Sequence, residues 1–216
     1  MAMPASPDER PPIPTLPPGE VWTADRVRAQ LCVDDPDDPL SRYRFELIDG
    51  ELLVSPSPAY AHQMAVAELY APLREYTLRT GAGRALFSPS DVELAPDTTA
   101  QPDVYVIPLE EGQRLLALGR HEPVRRLLLA VEVLSPSTAR HDQLKKRRHY
   151  VRHAVEYWVV DLDARGFWRN APGDPRVDLH DETLTWHPAP AAEPLVVDVA
   201  AYFARVLGRD PDAARP

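Results

Sequence analysis

The sequence predicts one α/β domain, a mixed central β-sheet flanked by helices, with a β-hairpin towards its N-terminal end. Three observations carry this prediction. Short apolar segments rich in Val, Ile, Tyr and Phe recur along the chain and read as strands. Stretches with apolar residues at helical spacing lie between them. Asp49-Gly50 joins two of the strand-like segments, a strong hairpin signal.

In chain order, "TADRVRAQL" (23–31) predicts a short helix with Thr23 as N-cap, and "DDPDDPL" breaks it. "RYRFELIDGELLVSPSP" (42–58) predicts the hairpin. From Ala59 to about Thr80, Met64, Ala67, Leu69, Leu73 and Tyr76 mark a helix that ends near Gly81 and Gly83, with a kink expected at Pro72. "RALFS" (84–88), "DVELA" (91–95) and "DVYVI" (103–107) predict strands. A short helix around "EEGQRLLAL" follows, then an apolar strand over 127–134 and a basic helix over 139–153. "EYWVVD" (156–161) predicts another buried strand, and "LTWHP" with "LVVDVAAYFARVL" predicts a strand and a terminal helix.

The chain has 216 residues and 44% apolar content, enough for a core. Seven of its 25 prolines fall between Pro4 and Pro18, so residues 1–20 are expected to be a disordered or extended arm, 21–208 the single domain and 209–216 a tail. Cys32 is alone, which excludes an intrachain disulfide. No apolar stretch reaches the length of a membrane span and no leader pattern is visible, so no membrane association and a cytoplasmic location are expected. A net charge of −9 argues against non-specific coating of nucleic acid. The segment 140–153 is the exception: Arg140, Lys145, Lys146, Arg147, Arg148 and Arg152 stand against Asp142 alone. Such a helix is either a solvated face or a local grip on a polyanion.

"LLLAVEVL" (127–134) is apolar apart from Glu132, and a buried carboxylate needs a partner or a cation. Strand alternation puts Glu132 on one face with Leu128, Ala130 and Leu134. Asp103 follows Pro102 at the start of another strand. If those strands are neighbours, the two carboxylates approach each other and repel unless a proton or a cation lies between them. Magnesium accepts such oxygen ligands. Asp142, Lys146 and Tyr150 share one helix face at intervals of four, and the strand–turn–helix unit through "SPST" returns Lys146 towards the carboxylates. A lysine there orients a water or stabilises charge on a phosphate. The structural alternatives are an ion pair of Glu132 with an arginine or Lys146, and a turn-capping role for Asp103.

"QPDVYVI", "VEVLSPST", the Asp142–Lys146–Tyr150 spacing and "EYWVVD" together resemble the Uma family of putative bacterial endonucleases, within the PD-(D/E)XK, restriction-endonuclease-like superfamily. "YRFELIDGELLVSPSPAYAH" resembles that family's opening, with Glu46, Gly50, Pro56 and His62 in the matching places, and the likeness spans about residues 42–165. The resemblance implies a restriction-endonuclease-like core, Asp103 and Glu132 as metal carboxylates, and Glu46 and His62 in the same pocket. An E-x-K motif would place its lysine at Leu134; the resemblance implies that it has moved to Lys146.

The expected function is therefore a metal-dependent endonuclease hydrolysing DNA phosphodiester bonds. Mg²⁺ or Mn²⁺ is expected on Asp103, Glu132 and the Val133 carbonyl. Lys146 is expected to position the nucleophile or stabilise the transition state, with Glu46 and His62 as further catalytic positions. Lys145, Arg147, Arg148, Arg152 and Tyr150 are expected to contact DNA, and a homodimer is expected because nucleases of this superfamily often pair. The missing lysine at Leu134 and the acidic charge motivate an alternative, an inactive nuclease-fold protein that binds DNA or a protein partner. A glycosidase built on the two carboxylates is disfavoured, because aromatics are 7% of the chain and few lie near them.

Overall fold

The Asp49-Gly50 dipeptide turns the chain between β1 (Tyr43–Ile48) and β2 (Glu51–Pro56), which pair antiparallel with Ile48 opposite Glu51. Both turn residues have positive φ, +52° and +75°, the geometry of a type I′ turn that favours Asn or Asp followed by Gly. A computed structural model of the chain describes residues 13–31, 38–56, 58–119, 122–134, 140–153, 155–189 and 193–208. Of residues 42, 56 and 140–144 only the backbone is described. The first twelve residues of the arm, Cys32, the "SPST" turn (Ser135, Ser137, Thr138), the Asp142 side chain and the tail 209–216 lie outside the described residues.

Helix α1 (Ala24–Gln30) is capped by Thr23, whose hydroxyl accepts from the Arg26 N–H. Helix α2 (Tyr60–Thr80) runs unbroken through Pro72 and ends at Gly81. Strands β3 (Arg84–Phe87), β4 (Val92–Ala95), β5 (Thr98–Ala100) and β6 (Val104–Ile107) follow, then α3 (Leu109–Leu118), β7 (Leu129–Val133), α4 (Arg140–Arg152) and β8 (Glu156–Asp161). Strands β9 (Gly166–Asn170), β10 (Asp178–His180), β11 (Thr183–Trp186) and β12 (Leu195–Asp198) and helix α5 (Val199–Leu207) complete the chain.

The central sheet has six strands in the order β10-β9-β8-β7-β6-β3, with β7 and β8 parallel and the other pairs antiparallel. It is the mixed sheet that the sequence predicts. The alternation in "LAVEV" sorts its two faces. Leu129, Val131 and Val133 join Val104, Val106, Trp158 and Val160 beneath Ala65, Leu69, Leu73 and Tyr76 of α2 and Tyr202, Phe203 and Val206 of α5. Burying each large side chain of this cluster is worth about 1.5–3 kcal/mol. Gly83 brings β3 in close: a β-carbon there would lie 2.5 Å from the Ile107 carbonyl oxygen. On the opposite face, Ala130, Tyr105, Tyr157 and Val159 pack with Tyr150 of α4 and with Ile48, Val92 and Ala100. Leu128, read as sharing Glu132's face, packs instead with the α2 side, because the regular strand begins only at Leu129.

Three features were not foreseen. The hairpin belongs to a second sheet, of order β2-β1-β5-β4, which rests on the Tyr105 face. The residues of β5, β9 and β10 gave no strand signal: "TTA" and "DLH" are short and half polar, and "GFWRN" opens on a glycine. Ile13 and Trp22 pack on Val27, Leu31, Leu40, Phe45 and Leu47, so this part of the N-terminal segment lies against the hairpin's outer face.

Candidate active site at the junction of the two sheets

Between β5 and β6 the chain crosses from the small sheet to the central one through Gln101, Pro102 and Asp103. Val104 pairs with Val131 in antiparallel register, so continuing by one residue sets Asp103 opposite Glu132. The neighbouring-strand condition on which the sequence argument depended is met. Alternation along "YRFELI" turns Phe45 and Leu47 outward and Glu46 and Ile48 towards the central sheet, and Arg44 shares their face. Helix α4 follows β7, and Lys146 enters from above.

These residues form one bonded cluster. The Lys146 ammonium donates to Glu46 Oε2 at 2.8 Å and to both Glu132 oxygens at 3.2 and 3.1 Å. Asp103 Oδ2 accepts from the Val133 N–H at 2.8 Å and meets His62 Nε2 at 3.1 Å. Its Oδ1 accepts from Arg44 Nη1 at 2.7 Å. Glu46 Oε1 accepts from the Gln101 N–H at 2.7 Å, and the Gln101 amide donates to Asp91 at 3.0 Å. Glu46, Asp103, Glu132 and Lys146 are each at most 4% exposed. Sequence reasoning named five of these residues as catalytic and missed Arg44. The signal was present: Arg44 stands two residues before Glu46 on a strand, hence on its face.

The environment separates the two carboxyls. Burial alone would raise the Asp103 pKa, but the His62 bond, the Arg44 charge and the Val133 N–H together hold it down at about 2. Glu132 is pushed up to about 8, first by burial and then by repulsion from Glu46 and Asp103, which the attraction of Lys146 does not offset. Burial opposes the charge on Lys146, yet Glu132 and Glu46 raise its pKa above the ordinary value. Three carboxyls, of Glu46, Asp103 and Glu132, thus face two cations, Arg44 and Lys146, and burial favours the neutral form of Glu132. Ionising Glu132 leaves one negative charge in excess.

The donors towards a divalent cation, the Asp103 and Glu132 carboxyls and the Val133 carbonyl, are all hard oxygens. The excess charge gives such a cation an electrostatic reason to enter, so the residues fit magnesium or manganese in kind. Each carboxylate is also satisfied by a protein cation, and among the described residues no group of three or more His, Cys, Asp or Glu side chains is arranged as a ready metal cage.

The basic helix divides. Arg148 and Arg152 are exposed, while Arg147 is half-buried. Lys145 pairs with Glu51 and His149 lies 3.0 Å from Asp49, which pins α4 to the hairpin. Tyr150 does not suit the expectation of a DNA contact. It is fully buried, stacked at 4.8 Å on Tyr157, because its position one turn beyond Lys146 faces the sheet. Burial and the cluster's carboxylates push both phenols well above their ordinary range. A cavity of about 370 Å³ is lined by Leu86, Phe87, Ser90, Asp91, Tyr105, Leu115, Glu122 and Val124. Among the described residues, no helix is long and apolar enough to cross a membrane.

A model of the Uma2 family, described as "Putative restriction endonuclease", matches residues 29–195. No curated protein matches the chain. Among solved structures, the chain is similar to a crystal structure described as a putative nuclease belonging to DUF820 from Anabaena variabilis. The TM-score is 0.60 at 20% identity, over 75% of this chain and 90% of that one. At that identity the likeness concerns the fold.

Proposed function

The chain belongs to the Uma2 family of putative restriction endonucleases, and from this premise we propose that it is a metal-dependent endonuclease hydrolysing phosphodiester bonds of DNA. One observation carries the reading. Asp103 and Glu132 stand opposite each other on neighbouring strands, and Lys146 from the following helix is bonded to Glu132. The lysine absent at Leu134 is thus supplied at the same carboxylate from another element.

Asp103, Glu132 and the Val133 carbonyl would hold the ion, which supplies Lewis-acid activation of water and neutralises charge at the phosphate. The remaining work falls to the chain's own residues. The Val133 N–H and His62 fix the rotamer of Asp103, so its carboxylate needs no reordering on binding. His62 turns Nε2 to Asp103 and leaves Nδ1 buried with no partner among the described residues, so that nitrogen is the one open to exchange a proton. Lys146, held by Glu46, presents its charge where negative charge grows on the phosphate. Arg148 and Arg152 reach flanking phosphates.

Supercoiled plasmid tests the reading. Nicking is expected with Mg²⁺ or Mn²⁺, to be lost with a chelator, and to fall by at least about a hundredfold in Asp103→Asn, Glu132→Gln and Lys146→Met. Nicking that survives these substitutions or the chelator would overturn it. A second reading has its own support, since every carboxylate of the cluster is already satisfied by a protein cation. In that case the protein binds DNA or a partner without cleaving, and binding is indifferent to chelator.

A further inference from the structure

The two cations of the cluster sit at different depths. Lys146 is the deeper one, its side chain 5% exposed and bonded to Glu132 at 6%. Arg44, bonded to Asp103, lies nearer the surface, 21% exposed. Asp103 Oδ2 is committed to the Val133 N–H and His62. Oδ1 is the oxygen left for an incoming cation, and Arg44 Nη1 covers it at 2.7 Å. The guanidinium is not fully satisfied there. Its Nε is buried without an acceptor among the described residues, and Nη2 stands 3.7 Å from Glu46 Oε2. A buried donor without an acceptor is unfavourable, so this pose is held by the charges of Glu46 and Asp103 and not by a complete set of bonds.

We propose that Arg44 is a cation lock on this site: it occupies Asp103 Oδ1, yields that oxygen to a divalent ion, and then turns its planar fork to a phosphate oxygen of the bound DNA. The inference rests on the metal-dependent reading above and assigns that site a gate. Two like charges cannot share Oδ1 at close range, so entry of the ion expels the guanidinium. Glu46 keeps the displaced side chain near the site. A guanidinium matches a phosphate in bidentate geometry, which a lysine does not.

Manganese titration followed by electron paramagnetic resonance tests this on the full chain, with Asp103→Asn as the blank. A guanidinium beside a carboxylate weakens its hold on a competing cation by about tenfold or more. Arg44→Gln is therefore expected to bind Mn²⁺ about tenfold tighter than wild type. It is also expected to bind a DNA duplex more weakly in Ca²⁺, with a salt slope reduced by about one phosphate contact. Should Arg44→Gln not fold, as judged by circular dichroism, Arg44→Lys carries the test, with tighter Mn²⁺ binding by a smaller factor. Equal or weaker Mn²⁺ binding in the folded variant overturns the lock and leaves the metal reading standing. Wild type that binds Mn²⁺ no better than Asp103→Asn overturns both.

Discussion

Lys146 ties together residues that strand geometry alone would hold apart. Its ammonium joins Glu46 and Glu132, from different sheets, in a fully buried setting. Removing one partner of a buried ion pair leaves the others without compensation, at about 3–5 kcal/mol. Lys146→Met is expected to lose about 3 kcal/mol, towards the low end because burial already shifts Glu132 towards its neutral form. Urea unfolding measures this, and an unchanged midpoint would show that Lys146 does not hold the cluster. At this scale the sequence was most informative about residue type. A glutamate inside an apolar strand requires a partner, whereas which cation supplies it was open between an arginine and Lys146. The structure places Lys146 on Glu132 and Arg44 on Asp103.

Among elements, the connection after α3 is fastened by two side chains of that helix, Glu111 and Arg114, the latter donating to the Pro123 carbonyl. Glu111 accepts from Arg114 and from the backbone N–H of Arg125, which ties α3 to the segment entering β7. The Arg114 bond lowers the Glu111 pKa, burial opposes it, and the Arg125 N–H lowers it further, so the net direction is down. A carboxyl with a depressed folded pKa gives stability that is present above its unfolded value and lost as pH falls through the folded one. Glu111→Gln is therefore expected to lower stability at neutral pH by about 1–3 kcal/mol, the gap to wild type closing as pH falls below about 4. Thermal unfolding across that range reads it; a gap independent of pH would assign the loss to packing. Helix α2 and strands β7 and β8 were legible because long or strongly apolar patterns determine their own secondary structure. Strands β5, β9 and β10 were not, because their neighbours across the sheet, rather than their own residues, make them strands.

Over the whole molecule, an acidic chain carries a basic helix pinned to the hairpin by Lys145–Glu51 and His149–Asp49. Only part of its charge is left for a polyanion. Arg148→Glu with Arg152→Glu is expected to weaken DNA binding about equally for all sequences and to flatten its salt dependence, with Mn²⁺ affinity unchanged. Titrations of a labelled duplex at several salt concentrations measure this, and an unaltered slope would remove α4 from the DNA interface. By itself, the sequence determined the fold class and the hairpin and brought forward Asp103, Glu132 and Lys146 as candidates, since alternation, turn chemistry and helical spacing act over neighbouring residues, whereas Glu46 and His62 came from the family resemblance alone. Tertiary structure decided that the hairpin joins a second sheet, that Tyr150 is core, and that Arg44 covers Asp103. Those outcomes depend on contacts between residues as far as 100 positions apart, as for Lys146 and Glu46, and only the packing of the two sheets sets them.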